Sequence, residues 1–448
     1  MTGPVKVAII GGGISGLSAA YYLSKAGIRA ALIEKQDRLG GVIETHRVAD
    51  CIVEAGPDSF LASKPAALDL IRDIGLESEV ISSNDHLRRT YIKKNGRLVP
   101  MPDGLMMMVP TKMAPVAASN LISWPTKIKM GLEYFRKPSA AAGDRSVAEF
   151  VREHYGQETV DYLAEPLLSG VYGGDPEELS ASATLGQMVA LETRYGSLTR
   201  GVIESRKKAP PGGGGSLFRT MKSGLGQLVD GIEAKLTVDR IHAAATAVER
   251  TAAGFRIALG NGSSIEADKV IVACPAHAAG PLLRPLDPAM ADGLSAVRYN
   301  SSMTIGLIYD KVKLGHPLNG FGFLIPKVER RKMAACTWVG TKFSHRVPDH
   351  LALIRCFVGG GAAATAEEMR DELRELMGVT AEPVATCIYH WDRAMAQYTV
   401  GHASRIAGIT GRAKQIPGLY LAGNAYEGIG IPDCIRTGRA AAAAAAQC

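Results

Sequence analysis

The apolar run Val5-Lys6-Val7-Ala8-Ile9-Ile10 leads directly into Gly11-Gly12-Gly13-Ile14-Ser15-Gly16, and nothing else in the chain restricts its fold as much. The spacing predicts a strand over 5–10, a tight glycine turn, a helix over 15–25 and a second strand over 29–33. That is the opening half of a parallel nucleotide-binding sheet. Absent side chains let backbone N–H groups and a helix N-terminus meet a pyrophosphate. Glu34 closes the second strand eighteen residues beyond Gly16. A carboxylate there suits ribose hydroxyls and not a 2′-phosphate, so FAD or NAD is implied and NADP is not. A glycine turn with no ligand would need neither the helix start nor the acid in these places.

A chain of 448 residues exceeds one ordinary core, so two or more lobes are expected. No apolar run approaches the length of a membrane span, and residues 1–6 pass straight into the first strand without room for a secretion signal. The expected location is cytoplasmic, with peripheral contact at the cytoplasmic membrane left open. The seven cysteines are scattered and never spaced as C-x-x-C, which predicts reduced thiols and no metal site. A net charge of +7 without basic runs interleaved with aromatics argues against nucleic acid. The mild positive bias suits a carboxylate-bearing substrate or an anionic membrane, and equally a merely solvated exterior.

The expected fold class combines α/β and α+β parts. A discontinuous Rossmann-like domain takes 1–85, 220–294 and 410–448; a mostly antiparallel substrate sheet takes 86–100 and 295–409; a helical lobe takes 101–219. Asn95-Gly96 predicts a type I′ hairpin turn that opens the second sheet. Strand patterns at 303–309, 322–325, 334–339, 351–358 and 384–391 continue it. The lobe begins with Met101-Pro-Asp-Gly-Leu-Met-Met-Met-Val-Pro110, flanked by Lys112, Lys127, Lys129 and Arg136. This cluster suits either a membrane surface or a methionine-rich core patch. The run Pro210-Pro-Gly-Gly-Gly-Gly-Ser216 predicts a mobile surface loop.

Arg38-Leu39-Gly40-Gly41 follows Glu34 closely, and its glycine pair permits close backbone approach to a cofactor. At the other end, Gly418-Leu-Tyr-Leu-Ala-Gly423-Asn424 runs into Ile429-Gly430-Ile431-Pro432. Here a strand, a glycine-rich turn and a proline-started helix follow one another. The positive end of that helix favours negative charge on a group bound there, the pyrimidine if the cofactor is the flavin that the resemblance below implies. Together these segments resemble the flavin amine oxidase superfamily, which tips the cofactor to FAD. Gly56-Pro57-Asp58-Ser59-Phe60, Gly170-Val-Tyr-Gly-Gly-Asp-Pro-Glu-Glu-Leu-Ser180, Met221-Lys-Ser-Gly-Leu-Gly-Gln-Leu228 and Val270-Ile-Val-Ala-Cys-Pro-Ala276 narrow the resemblance to its porphyrinogen oxidase branch.

That resemblance implies FAD contacts at residues 11–16, at Glu34 and Lys35, at Gly40, Gly41 and Val42, and at Gly56, Pro57, Asp58 and Ser59. Further contacts fall on Ala245, Trp391, Gly423, Asn424, Ile429, Gly430 and Ile431. Ala245 stands where the branch has a valine, and Ala396 where it has a proline. On the substrate side the resemblance implies Arg88 or Arg89 against a propionate, Leu324 and Phe343 as apolar walls, and Gly170 with its carbonyl toward the reacting centre. Lys112, Arg194, Lys342 and Arg346 are basic candidates for the mouth. The implied reaction is hydride transfer from a porphyrinogen methylene to FAD with reoxidation by O₂, three rounds giving the porphyrin. Protoporphyrinogen IX is the first substrate candidate and coproporphyrinogen III the alternative. An amine oxidase and a non-redox flavoprotein are the rivals, and a homodimer is compatible with the sequence.

Overall fold

The computed structural model describes residues 5–138, 143–208, 216–359 and 361–447. The run 210–215, expected as a surface loop, lies outside the described residues. The strand Val5–Ile10 lies between Ala30–Glu34 and Ser264–Val272, parallel to both. Asp239–His242 and Leu419–Leu421 extend this parallel core on its two sides, and Gly254–Leu259 with Ala245–Thr251 adds an antiparallel flank. A strand covered on both faces reads as a continuous apolar run. Accordingly Val7 and Ile9 enter one core with the first and last helices, while Val5, Ala8 and Ile10 enter a second core on the opposite face.

The chain's two ends form one packed unit. In the first helix, Ile14–Lys25, the Ser18 hydroxyl donates to the Ile435 carbonyl of the last helix, Ile431–Ala446, at 3.0 Å. A Cβ on Gly438 would fall 2.2 Å from the Ser15 carbonyl oxygen, so helix contact at this distance requires glycine. The helix His402–Lys414 joins the second core through Ile406, Ile409 and Ala413.

The second sheet runs in the order Ala385–Ala396, Tyr299–Asp310, Leu351–Val358, Met333–Trp338, Gly322–Leu324, Thr90–Lys94, Arg97–Pro100. All neighbours are antiparallel except Gly322–Leu324 against Thr90–Lys94. Asn95 and Gly96 take φ of 51° and 73°, the left-handed pair of a type I′ turn.

Between the sheets in sequence lies a helical region that includes Trp124–Glu133, Val147–Tyr155, Glu165–Tyr172, Gly186–Tyr195 and Leu198–Lys208. Met108 and Val109 belong to its core, and residues 105–110 form a short hairpin. The methionine cluster is thus divided: Met108 is core, Met101 and Met106 pack half-buried against it, and Met107 is exposed. An apolar surface lies on the Trp124–Glu133 helix and its extension, where Trp124, Ile128, Leu132 and Phe135 are 65%, 59%, 65% and 72% exposed.

Candidate active site

The glycines of the first turn divide the work. Gly11 takes φ 105°, and a Cβ there would meet Cys274 N at 2.9 Å. A Cβ on Gly16 would fall 1.8 Å from the Gly11 carbonyl oxygen, so this position packs helix on strand. Around Gly13, in contrast, nothing lies within 4 Å of a built Cβ. Gly13 caps the first helix without any side-chain hydrogen bond, leaving its opening N–H groups turned to that open space. Ile14 and Ser15 are buried behind it.

Glu34 is held from two sides. One carboxylate oxygen accepts from Gly12 N at 2.6 Å and the other from Gln36 N at 2.9 Å. Lys35 is exposed and its carbonyl lies 3.1 Å from His242 Nε2. Ala245 begins the edge strand Ala245–Thr251, half-buried opposite Leu259.

The second glycine pair comes to the same place. Gly40 N donates to the Gly12 carbonyl at 2.9 Å, and a Cβ on Gly41 would meet Gly13 Cα at 3.1 Å. Arg38 staples this loop by donating to the Gly41 carbonyl at 2.6 Å and pairing with Glu44 at 3.0 Å. Its guanidinium lies 5.6 Å from the centre of the Trp391 ring, whose Nε1 donates to the Ala55 carbonyl at 2.9 Å. Val42 remains 39% exposed, an apolar side chain left open between these loops. Gly56 packs so tightly that a Cβ would fall 1.9 Å from the Val42 carbonyl oxygen.

At the far end, Gly423 takes φ 133° and Asn424 ties three segments together. Its Nδ2 donates to the Ala394 carbonyl at 3.0 Å, and its Oδ1 accepts from the Tyr299 hydroxyl at 3.1 Å. The Tyr398 hydroxyl donates to the Asn424 carbonyl at 2.9 Å and accepts from Gly428 N at 2.8 Å, so one side chain spans the glycine-rich turn. Ile429 and Gly430, both half-buried, lead to Ile431, where the last helix starts without a side-chain cap. Asp433 stands in its first turn and pairs with Lys64 at 2.5 Å.

Substrate-side candidates are placed less uniformly. Arg88 and Arg89 are exposed just before the strand Thr90–Lys94. Gly170 is exposed, with open space around it, in the last turn of the helix Glu165–Tyr172. Gln397 and Asn300 fix that helix end by donating to the Tyr172 and Gly173 carbonyls, both at 2.7 Å. Leu324 is half-buried at the end of its strand. Phe343 is 1% exposed and lines a small enclosed cavity with Glu54, Asp58, Arg346 and Arg355, so it backs the wall and has no open face.

Lys342 and Arg346 do not stand free at a mouth. Lys342 Nζ lies 3.0 Å and 2.9 Å from the two Asp58 oxygens, and Arg346 pairs with Glu54 at 2.7 Å with both side chains buried. Buried acids at these positions demand cations, and these two supply them. Burial alone would raise the Asp58 carboxyl, yet Lys342, Arg355 and the Ser59 hydroxyl hold it well below the usual range.

Residues 14–446 match the flavin containing amine oxidoreductase family. The chain belongs to that family. It is an oxidoreductase and its cofactor is FAD. The residues present fit the cofactor: an unfilled space at Gly13, an exposed Val42 and two helix starts lacking side-chain caps lie along the same line of loops. The chain is 34% identical to coproporphyrinogen III oxidase of Bacillus subtilis (strain 168), covering 98% of this chain and 97% of that one. It is 27% identical to protoporphyrinogen oxidase 2, chloroplastic/mitochondrial, of Arabidopsis thaliana, covering 98% and 93%. A crystal structure from Exiguobacterium sp. 255-15 superposes with a TM-score of 0.85 at 30% identity, covering 99% and 98%.

Within this flavin oxidoreductase, the proline absent at Ala396 does not interrupt the chain. The strand continues to Ala396, paired with Tyr299, after a bulge in which Arg393 takes φ 45°. Sequence reasoning did not single out Tyr299, Arg355 or the Glu54–Arg346 pair. Arg355 had a signal, a lone charge inside Leu351-Ala-Leu-Ile-Arg-Cys-Phe-Val358.

Proposed function

We propose that this oxidoreductase removes six electrons from a porphyrinogen to give the porphyrin, with O₂ as the acceptor. The observation that carries this reading is near-full-length identity of 34%, 32% and 30% to three coproporphyrinogen III oxidases. Relatives named protoporphyrinogen oxidase follow at 27% to 29%. Coproporphyrinogen III and protoporphyrinogen IX are thus the two substrates to compare, and the order of identity favours the first.

In this reading residues 11–16, Glu34, Lys35 and Ala245 hold the adenosine and pyrophosphate. Residues 40–42, 56–59, 423–424 and 429–431, with Trp391, hold the flavin end. FAD supplies two-electron acceptance from a ring methylene and return of those electrons to O₂. The chain's own share is orientation and exclusion of water. Arg88 and Arg89 are exposed, and a guanidinium suits bidentate pairing with a propionate. Leu324 offers apolar contact, and the Gly170 backbone can approach a flat ligand because no side chain intervenes. We place the boundary of the C-terminal nucleotide-binding segment near residue 401, ahead of the helix that joins its core.

Anaerobic addition of each porphyrinogen to the FAD-loaded protein tests the reading. Bleaching of the flavin absorbance followed, in air, by a product six mass units lighter supports it; an unchanged spectrum with both substrates refutes it.

A second reading concerns location. The exposed stripe Trp124, Ile128, Leu132 and Phe135 has basic groups beside it: Lys207 acts on Tyr134, whose ring lies 5.5 Å from that of Phe135, and Arg136 follows Phe135 in the chain. Apolar side chains beside lysine and arginine suit peripheral docking on an anionic bilayer. Co-sedimentation with phosphatidylglycerol vesicles should fall about tenfold in Phe135→Glu, since one anchoring ring is lost. Equal sedimentation of both proteins would exclude this face.

A further inference from the structure

Five charged side chains meet where the second sheet backs residues 54–59. Glu54 is matched by Arg346 and Asp58 by Lys342. The fifth is Arg355, which is 3% exposed on the buried strand Leu351–Val358. Its Nη2 donates to the Gly56 carbonyl, and its Nε has no partner among the described residues. The acids that act on it are Asp58 and Glu54, each already matched by another cation. Cys387 and Tyr389 also face it, but burial pushes both up and keeps them neutral. The cluster thus sets three cations against two anions.

A buried charge without a counter-charge is costly, so this arrangement makes sense where an anion completes it in the working state. The Gly56 carbonyl held by Arg355 belongs to the stretch 56–59, read above as part of the flavin end. Uptake of two electrons and one proton leaves bound FAD with one additional negative charge. We propose that the surplus positive charge of Arg355 stabilises that negative charge and so sets the reduction equilibrium of the cofactor. The inference rests on the placement of FAD along residues 56–59.

Full-chain holoprotein equilibrated with a reference redox dye tests it through the ratio of reduced to oxidised FAD at one dye poise. Removing one positive charge, in Arg355→Gln or Lys342→Met, should lower the ratio about tenfold, and Asp58→Asn should raise it about tenfold. Arg355→Lys should stay near the wild-type ratio. A merely structural role would not reverse sign between Arg355→Gln and Asp58→Asn. Ratios within about twofold of wild type in the FAD-bound variants, or shifts of one sign throughout, overturn the proposal. Loss of FAD from all these variants also overturns it, by making the cluster a brace. Failure of a porphyrinogen to reduce wild-type FAD would refute the substrate reading alone, because the dye measurement does not use that substrate.

Discussion

Where residues 11–16 meet residues 40–41, the chain comes close by leaving side chains out; at Glu54 and Asp58 it comes close by burying charges and pairing them. On the first side a single Cβ would collide with backbone, as at Gly16 and Gly11. On the second, Glu54 accepts from Arg346 at 2.7 Å, Leu225 N at 2.8 Å and the Thr45 hydroxyl at 2.6 Å. Glycine contacts tolerate no addition, whereas charge networks tolerate no subtraction. The two sides should therefore fail in opposite ways.

Gly16→Val should have the largest effect, because the added Cβ meets a carbonyl that cannot move without opening the sheet. Loss of soluble, FAD-bound protein is expected, judged by absorbance after purification. Gly13→Val sharpens the point. Open space surrounds that position and its φ is −69°, so apoprotein stability should change by less than ~1 kcal/mol. FAD affinity, measured by flavin fluorescence quenching, should nevertheless fall about a hundredfold as the cofactor's space is taken. If both variants fold equally badly, the division between packing glycines and cofactor glycines is wrong. On the charged side, Glu54→Gln should cost ~3–5 kcal/mol in urea unfolding, because Arg346 is left buried and unpaired.

This contrast also explains what could be read from the sequence. Glycine spacing is local: Gly11, Gly13 and Gly16 lie within six residues, and strand, turn and helix follow from their order. Such patterns join both ends in one unit and mark the strands of a separate second sheet. Side-chain networks draw on distant positions. Glu54 and Arg346 are 292 residues apart, and Lys342 and Asp58 are 284 apart, so Lys342 and Arg346 read as free cations when each already has its acid. The exposed face at Trp124 was missed for a related reason. An apolar residue in a helical pattern is normally core, and only packing shows which stripe has no partner. Tyr398 lies two residues beyond Ala396 and has no role in the sequence reading, yet it bonds both arms of the turn between Asn424 and Gly428. Tyr398→Phe should weaken FAD retention about tenfold at a stability cost of ~1–2 kcal/mol, and unchanged retention on gel filtration would remove the turn from the cofactor side.

The smallest effect lies away from both sides, where the hairpin strand Thr90–Lys94 meets the Trp124–Glu133 helix. Glu158 accepts from Lys94 Nζ at 2.8 Å, from Ser123 N at 2.9 Å, and from the Ser123 and Thr126 hydroxyls at 2.6 Å each. Its carboxylate thus sits at a helix N-terminus, where negative charge is favoured. Partial burial would raise its pKa, but Lys94, Ser123 and Thr126 bring it down to about 2 from the ordinary 4.5. A depressed carboxyl stabilises the fold fully above its unfolded value and loses that contribution as pH falls toward its folded value. Stability from Glu158 should accordingly be constant above about pH 5 and drain away between about pH 4.5 and 2. Glu158→Gln should cost ~1–2 kcal/mol at pH 7 and progressively less as the pH drops through that window. Urea unfolding of both proteins at pH 7 and pH 3.5 checks the sign, and a cost that grows toward acid would show that the neutral carboxyl, not the charged one, holds this joint.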